Sequence, residues 1–427
     1  LSVSINTQDL ESAAEQLLAS CLQDPGNLDS RALYALLSAV TSNSREIASA
    51  ATRLLIGKVV ENLCDRFEPS LVDCYVRIFT QAVAACQPLW SASFLQKRYQ
   101  QIRFGSLSFS TLDVREVFVL SRITLGADIA ITSVFLDAAA KRWPAARIWL
   151  VGPEKNHELF SGKVRHWPFA YPRQSPLTER ISLATELGDL AEEPGALLID
   201  PDSRISQLGL VPIAPASRTF FFESRTADAE SSRSLSSIAS SHCFLRMGVP
   251  DAVPFLALPE ALLRTAEATR QQYASAPITV SFGVGGNLSK RLDTEFEAAT
   301  LRALAETGRP LWIDAGAGGT EADWVQAAVH AAALPEGQVH ILRGSFAEFC
   351  AHISQSAMYV GYDSAGQHAA AALGIPSVTF FRGYVNERML QRWTPRNEHA
   401  QVVPLNEIET PAETLQALRQ ALTRLNG

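Results

Sequence analysis

The chain has 427 residues, 47% apolar and 19% charged, with a net charge of −7. That length exceeds one ordinary core and predicts two or three domains, and the composition excludes a disordered chain. A negative balance with no long basic run excludes a nucleic-acid partner.

The six cysteines form no CxxC pair and have no histidine at a metal-ligand spacing, so they read as reduced core residues. The first residues combine no basic start with an apolar core, and no apolar stretch approaches the ~20 residues that span a bilayer. The chain is therefore read as cytoplasmic.

Residues 1–110 are predicted to be all-helical. Leu10, Ala13, Ala14, Leu17, Leu18 and Cys21 recur at three- and four-residue steps. Asp29 is placed to cap a second helix, and Asn43 with Glu46 forms a capping-box pattern before a third. Pro69 and Pro88 punctuate two more. No fixed repeat period is present, and the expected role of this segment is packing or recruitment of an acceptor or protein partner.

The pattern changes at Val114. Short β-branched runs at 114–121, 147–152 and 196–200 alternate with helical segments, which predicts a doubly wound parallel sheet over residues 111–270. A second series, with strands at 277–282, 311–314, 338–342, 357–361 and 377–381, predicts another such domain over 271–427. The amphipathic run from Pro411 to Leu425 is expected to lie across the domain junction.

In such sheets ligands collect at the carboxyl ends of the strands. Three loops of the second domain have the composition for it. Gly283-Val-Gly-Gly-Asn-Leu-Ser-Lys290 offers backbone amides at Gly285, Gly286 and Asn287, with Ser289 and a lysine to neutralise phosphate. Alone, it is also what an ordinary turn looks like. The loop after 311–314 ends at Glu321, which either favours a helix N-terminus or accepts hydrogen bonds from a ribose diol. The third, Asp363-Ser-Ala-Gly-Gln-His368, runs into an alanine-rich helix whose free N–H groups suit a diphosphate.

These loops, in this order, resemble the donor domain of glycosyltransferase family 9, the ADP-heptose:lipopolysaccharide heptosyltransferases. The match rests on Asp363, Ser364, His368 and Pro376, with Ala365 where glycine is usual, and it puts Lys290 on a phosphate-binding lysine and Glu321 on a ribose-binding acid. In the first domain, Arg122-Ile-Thr-Leu-Gly-Ala-Asp128 followed by Trp143-Pro144 resembles the family's opening, with Ala127 on its glycine and Asp128 on its aspartate. The resemblance covers about residues 114–427 and implies a GT-B fold, two Rossmann-like domains facing a cleft, here preceded by the helical segment.

It further implies an inverting transferase needing no metal or other cofactor, with Asp128 as base and Lys290 stabilising the leaving diphosphate. Gly285, Gly286, Asn287, Ser289, Lys290, Glu321, Asp363, Ser364, Ala365, Gly366, Gln367 and His368 would hold an ADP-sugar, with heptose the sugar that the resemblance implies. Arg122, Lys155 and Arg225, with Arg173 and Arg204 nearby, would face an anionic glycan or glycolipid, such as lipopolysaccharide core, at the inner face of the bacterial inner membrane. Three alternatives stay open: another nucleotide-sugar or a protein acceptor, a catalytically silent nucleotide-sugar-binding protein, and a divalent ion on Asp200-Pro-Asp202.

Overall fold

A computed structural model describes residues 7–105, 107, 113–191, 193–285, 287–316, 318–405 and 410–426. The helical segment is built as expected from amphipathic faces: Leu10, Ala14, Leu17 and Cys21 of helix Thr7–Gln23 pack with Leu33, Leu36 and Val40 of Ser30–Val40 and with the apolar face of Pro69–Cys86. Asp29 caps the second helix by accepting hydrogen bonds from the Arg31 and Ala32 amides. The third helix, Arg45–Arg53, is capped by Ser44, not Asn43, because the Ser44 hydroxyl is the group that accepts from the Ile47 amide. Every cysteine is a free thiol, and all but Cys86 are buried.

The helix Arg45–Arg53 continues into a π-helical stretch, Leu54–Val60, and a last turn, Glu61–Cys64. The residues that follow form a joint among all three parts of the molecule. Phe67 is fully buried with the apolar layer of the first α/β domain. Arg225 of that domain lies 5.1 Å over the Phe67 ring and pairs with Asp65 at 3.2 Å. From the second α/β domain, Asn386 and Arg388 donate to the Arg66 and Phe67 carbonyls, at 3.1 and 2.7 Å.

The first sheet is wholly parallel, in the order β3 (Arg165–Pro168), β2 (Arg147–Gly152), β1 (Glu116–Leu120), β4 (Ala196–Asp200), β5 (Thr219–Phe221). The second, also parallel, runs β11 (Ala400–Pro404), β10 (Ser377–Phe381), β9 (Met358–Tyr362), β6 (Ile278–Ser281), β7 (Leu311–Asp314), β8 (Val339–Leu342). Both reverse direction at one point, between β1 and β4 and between β6 and β9, where the loops splay apart and leave a crevice. Their central strands are buried on both faces, as helices on each side require.

Two expectations are corrected. The C-terminal helix Pro411–Asn426 does not cross the junction: its apolar stripe, Leu418, Ala421 and Leu422, lies on Phe296 and Leu301 within the second domain. Helix Glu260–Arg270 packs on Phe346–Ile353 of the second domain, so the crossover between sheets precedes it. The halves are clasped by Arg392, which is 1% exposed and donates to the Asp228 and Arg233 carbonyls of the first domain, at 2.8 and 2.6 Å. No helix among the described residues is long and apolar enough to cross a membrane.

Because Phe67 is surrounded on all sides at the joint, Phe67→Ala is expected to cost about 3–5 kcal/mol, read as a fall in the urea unfolding midpoint. An unchanged midpoint would show that the joint carries no stability.

Candidate functional site

The second sheet's reversal point brings two of the three loops into direct contact. Lys290, leaving the turn after β6, donates to the Asp363 carboxylate at 2.5 Å and to its carbonyl at 3.2 Å, across 73 residues of sequence. Gln367 donates to the other Asp363 oxygen. The Lys290 side chain keeps 19% of its exposure, so this cation is reachable from the crevice.

Beside this pair begins the helix Ala365–Ala372. Ser364 stands at its cap in extended geometry and makes no side-chain bond to the first-turn amides. An uncapped helix start beside a lysine is a favourable place for an anion. The first domain reaches it through Gly126: a Cβ there would lie 3.2 Å from the His368 ring and 3.3 Å from Ala365 Cα. His368 is buried at this contact, tilted against Trp393 with ring centroids 6.0 Å apart. Burial, and then the nearby Lys290 charge, push its pKa down to about 4, against the pull of Asp363.

The other loops are braced. Glu321, in the first turn of helix Gly319–Ala332, accepts from the Val284 amide at 2.9 Å and so ties the β7 helix to the β6 loop. Asn287 accepts from the Ser289 amide and hydroxyl, at 3.2 and 2.7 Å, closing the Leu288–Lys290 turn. Gly286 lies outside the described residues. Composition did not single out Arg291, which fixes the end of this loop through a bidentate pair with buried Glu297 at 2.8 Å and a stack on Trp324. Nor did it single out Tyr359, whose hydroxyl lies under Gly366: a Cβ there would sit 2.2 Å from it.

The first domain meets the second at Gly126, one residue before Ala127, and a π-helical turn, Asp128–Thr132, leads from there into helix Ser133–Arg142. The turn carries Asp128 inward, where it has no exposed surface. Its carboxylate accepts four hydrogen bonds, from the Arg122 amide and Thr132 hydroxyl at 2.6 Å and from the Ser121 hydroxyl and Asn156 amide at 2.5 Å. Burial raises the Asp128 pKa and these donors work against the rise.

Arg122 and Arg225 are both buried and both face the Asp202 carboxylate at 3.5 Å, and Arg122 also donates to the Pro201 carbonyl. Asp202 accepts from Ser224 at 2.5 Å, while Asp200 accepts from the Ser203 amide and is pushed by burial to a pKa of about 6. The Asp-x-Asp carboxylates are thus engaged by cations and hydrogen-bond donors of the chain itself. Lys155 stands apart, exposed on the short helix after β2.

Two outcomes follow from this packing. Gly366→Ala is expected to destabilise the fold by about 1–3 kcal/mol through collision with Tyr359, and Tyr359→Phe in the same chain to recover part of it; equal stability of all three chains would refute the contact. His368 is neutral when folded but takes a proton near pH 6.5 when unfolded, so its contribution is complete above pH 6.5 and lost as pH falls through 4. It amounts to about 3 kcal/mol, and His368→Gln should flatten the stability profile over that window.

No protein-family model matches the sequence, nor does any curated protein sequence. Among solved structures, the chain is similar to the glycosyl transferase family 9 protein from Veillonella parvula DSM 2008, with a TM-score of 0.56 and 18% identity over 73% of this chain and 98% of that one. It is similar to the E. coli ADP-heptose lps heptosyltransferase II, with a TM-score of 0.52 and 18% identity over 73% of this chain and 100% of that one. A third is the E. coli heptosyltransferase WaaC with ADP-2-deoxy-2-fluoro heptose, at 0.51 and 16% over 72% and 99%. At these identities the likeness speaks for architecture: the chain has the GT-B fold of the family 9 glycosyltransferases, with an all-helical segment in front.

Proposed function

We propose that this chain is a glycosyltransferase that binds a nucleotide-sugar at the reversal point of its second sheet and transfers the sugar, with inversion and without a metal ion, to a glycan acceptor. The observation that carries the reading is the meeting of Lys290 and Asp363 beside the uncapped start of helix Ala365–Ala372. A diphosphate there finds one partly exposed cation and the open amides of a helix start, which together supply the positive charge that a divalent ion supplies elsewhere. Glu321, on the neighbouring strand's helix, is the proposed ribose contact. An ADP-linked donor, and heptose as its sugar, rest on the sequence resemblance and on the names of the similar structures.

In the transfer, the acceptor oxygen bonds to the anomeric carbon as that carbon's bond to the diphosphate breaks; the nucleoside diphosphate leaves with the bonding pair, held by Lys290, and the acceptor proton passes to a base. Asp128 is the proposed base. To accept that proton one of its four donors must withdraw, and the Ser121 and Thr132 hydroxyls are the two that can turn away. The closure of this cage favours a second reading, in which Asp128 only holds the Ser121–Asp128 loop and the chain binds a nucleotide-sugar without turning it over.

Titration of ADP, with GDP, UDP and dTDP as comparisons, into wild type and Lys290→Ala tests the donor site. ADP should bind wild type and bind Lys290→Ala about 10- to 100-fold more weakly; equal binding would remove the site. With an ADP-sugar and a glycan panel, Asp128→Asn should keep ADP affinity and lose at least about 100-fold in turnover. Wild type that binds ADP yet transfers nothing supports the second reading.

A further inference from the structure

Behind the cleft, where the helical segment meets the carboxyl edge of the first sheet, lies a pocket of about 290 Å³. One wall comes from the helical segment, with Arg53 at the end of its third helix, Ile56 and Gly57 in the π-helical stretch, and Glu61. The other comes from the chain that leaves β3 and β4: Tyr171 and Arg173 on the loop after the first, Arg180 on the helix Leu177–Thr185 that follows it, and Arg204 after the second.

Four guanidinium groups and one carboxylate line this space, in a chain whose net charge is −7. Glu61 is already paired with Arg204. Arg180 is 4% exposed and holds only neutral partners, the Ser175 and Arg173 carbonyls and the Tyr171 hydroxyl; among the described residues no carboxylate lies within ion-pair distance of it. The guanidinium groups of Arg53 and Arg173 make no hydrogen bond and no ion pair among the described residues. Arg180 is a buried cation without a counter-ion, and Arg53 and Arg173 stand exposed at the mouth of the same pocket, so like charges gather there with Glu61, already paired, as the one acid in the lining.

The remaining lining fixes the rest of the ligand. Arg180 stacks 5.7 Å from the Tyr171 ring centroid, which keeps that ring in place as a flat wall, and Ile56 adds an apolar patch. The volume lies just under the roughly 300–1,000 Å³ of ligand pockets for drug-sized molecules, which suits one hexose-sized unit. Arginine forks match phosphate geometry, and a ring face with an aliphatic neighbour matches the C–H face of a sugar.

We infer that this pocket binds a phosphomonoester-bearing sugar, with Arg53 and Arg173 on the phosphate, Arg180 behind them and Tyr171 against the sugar ring. Under the glycosyltransferase reading, on which this step rests, the ligand is a phosphorylated unit of the acceptor. The helical segment then acts as the wall that selects acceptors by charge.

Calorimetric titration of glucose 6-phosphate, glucose and inorganic phosphate into the full chain tests this. Two variants are informative: Arg53→Gln with Arg173→Gln, and Gly57→Phe, which fills the pocket from a position where an added Cβ meets nothing within 4 Å. Glucose 6-phosphate should bind wild type more tightly than glucose or phosphate, and at least about tenfold more weakly to both variants. ADP affinity should be the same in all three chains. The inference is overturned if wild type does not bind glucose 6-phosphate, if both variants bind it as wild type does, or if phosphate alone binds as tightly. Loss of ADP binding by wild type would count against the donor site, not against this pocket.

Discussion

The Asp202 carboxylate is the charge on which the junction of the three parts depends. It is buried between Arg122 and Arg225, and each arginine carries its own half of the architecture. Arg122 joins the loops after β1 and β4 by reaching the Pro201 carbonyl. Arg225 reaches Asp65 and covers Phe67 in the helical segment, and the same short segment is gripped by Asn386 and Arg388 from the far domain. Removing one partner of a buried pair strands the other at a cost of about 3–5 kcal/mol. Here one carboxylate serves two cations, so its loss would strand both.

The two sheets share a topology and use their reversal points differently. In the first, the crevice between the β1 and β4 loops is filled by the chain's own polar groups: Asp128 with its four donors, the Arg122 fork, and Ser203 donating to the Ser121 carbonyl at 2.5 Å. In the second, the corresponding crevice is spanned by one ion pair, Lys290–Asp363, next to a helix start that no side chain caps. A saturated set of hydrogen bonds makes a rigid wall. The Lys290–Asp363 pair leaves its lysine partly exposed beside that open helix start.

Much of the fold was legible because central strands of parallel sheets are continuous β-branched or aliphatic runs, and β1, β2, β4, β6, β7, β9 and β10 all read that way. The strands that escaped notice are at or near an edge: β3 is Arg-His-Trp-Pro, β5 only three residues, and β11 is alanine and glutamine before two valines. The donor loops were legible from glycine spacing and one lysine. The inward turn of Asp128 was not, since a π-helical turn has no compositional mark; neither was the Phe67 joint, which depends on contacts more than 100 residues away in sequence. The arginine pocket was foreshadowed only by Arg173 and Arg204, because Arg53 reaches it from a segment with no visible link to the sheet.

The contacts made by Asn386, Arg388 and Arg392 all come from the seven-residue helix Glu387–Trp393 and the residue that caps it. Each donates to a backbone carbonyl, an acceptor that no side-chain rotation can take away. The second domain is therefore fastened to the other two along this edge, in addition to its contact at Ala365 and His368 with Gly126. A rotation about that edge would move most the side of the second sheet farthest from it, at β7 and β8.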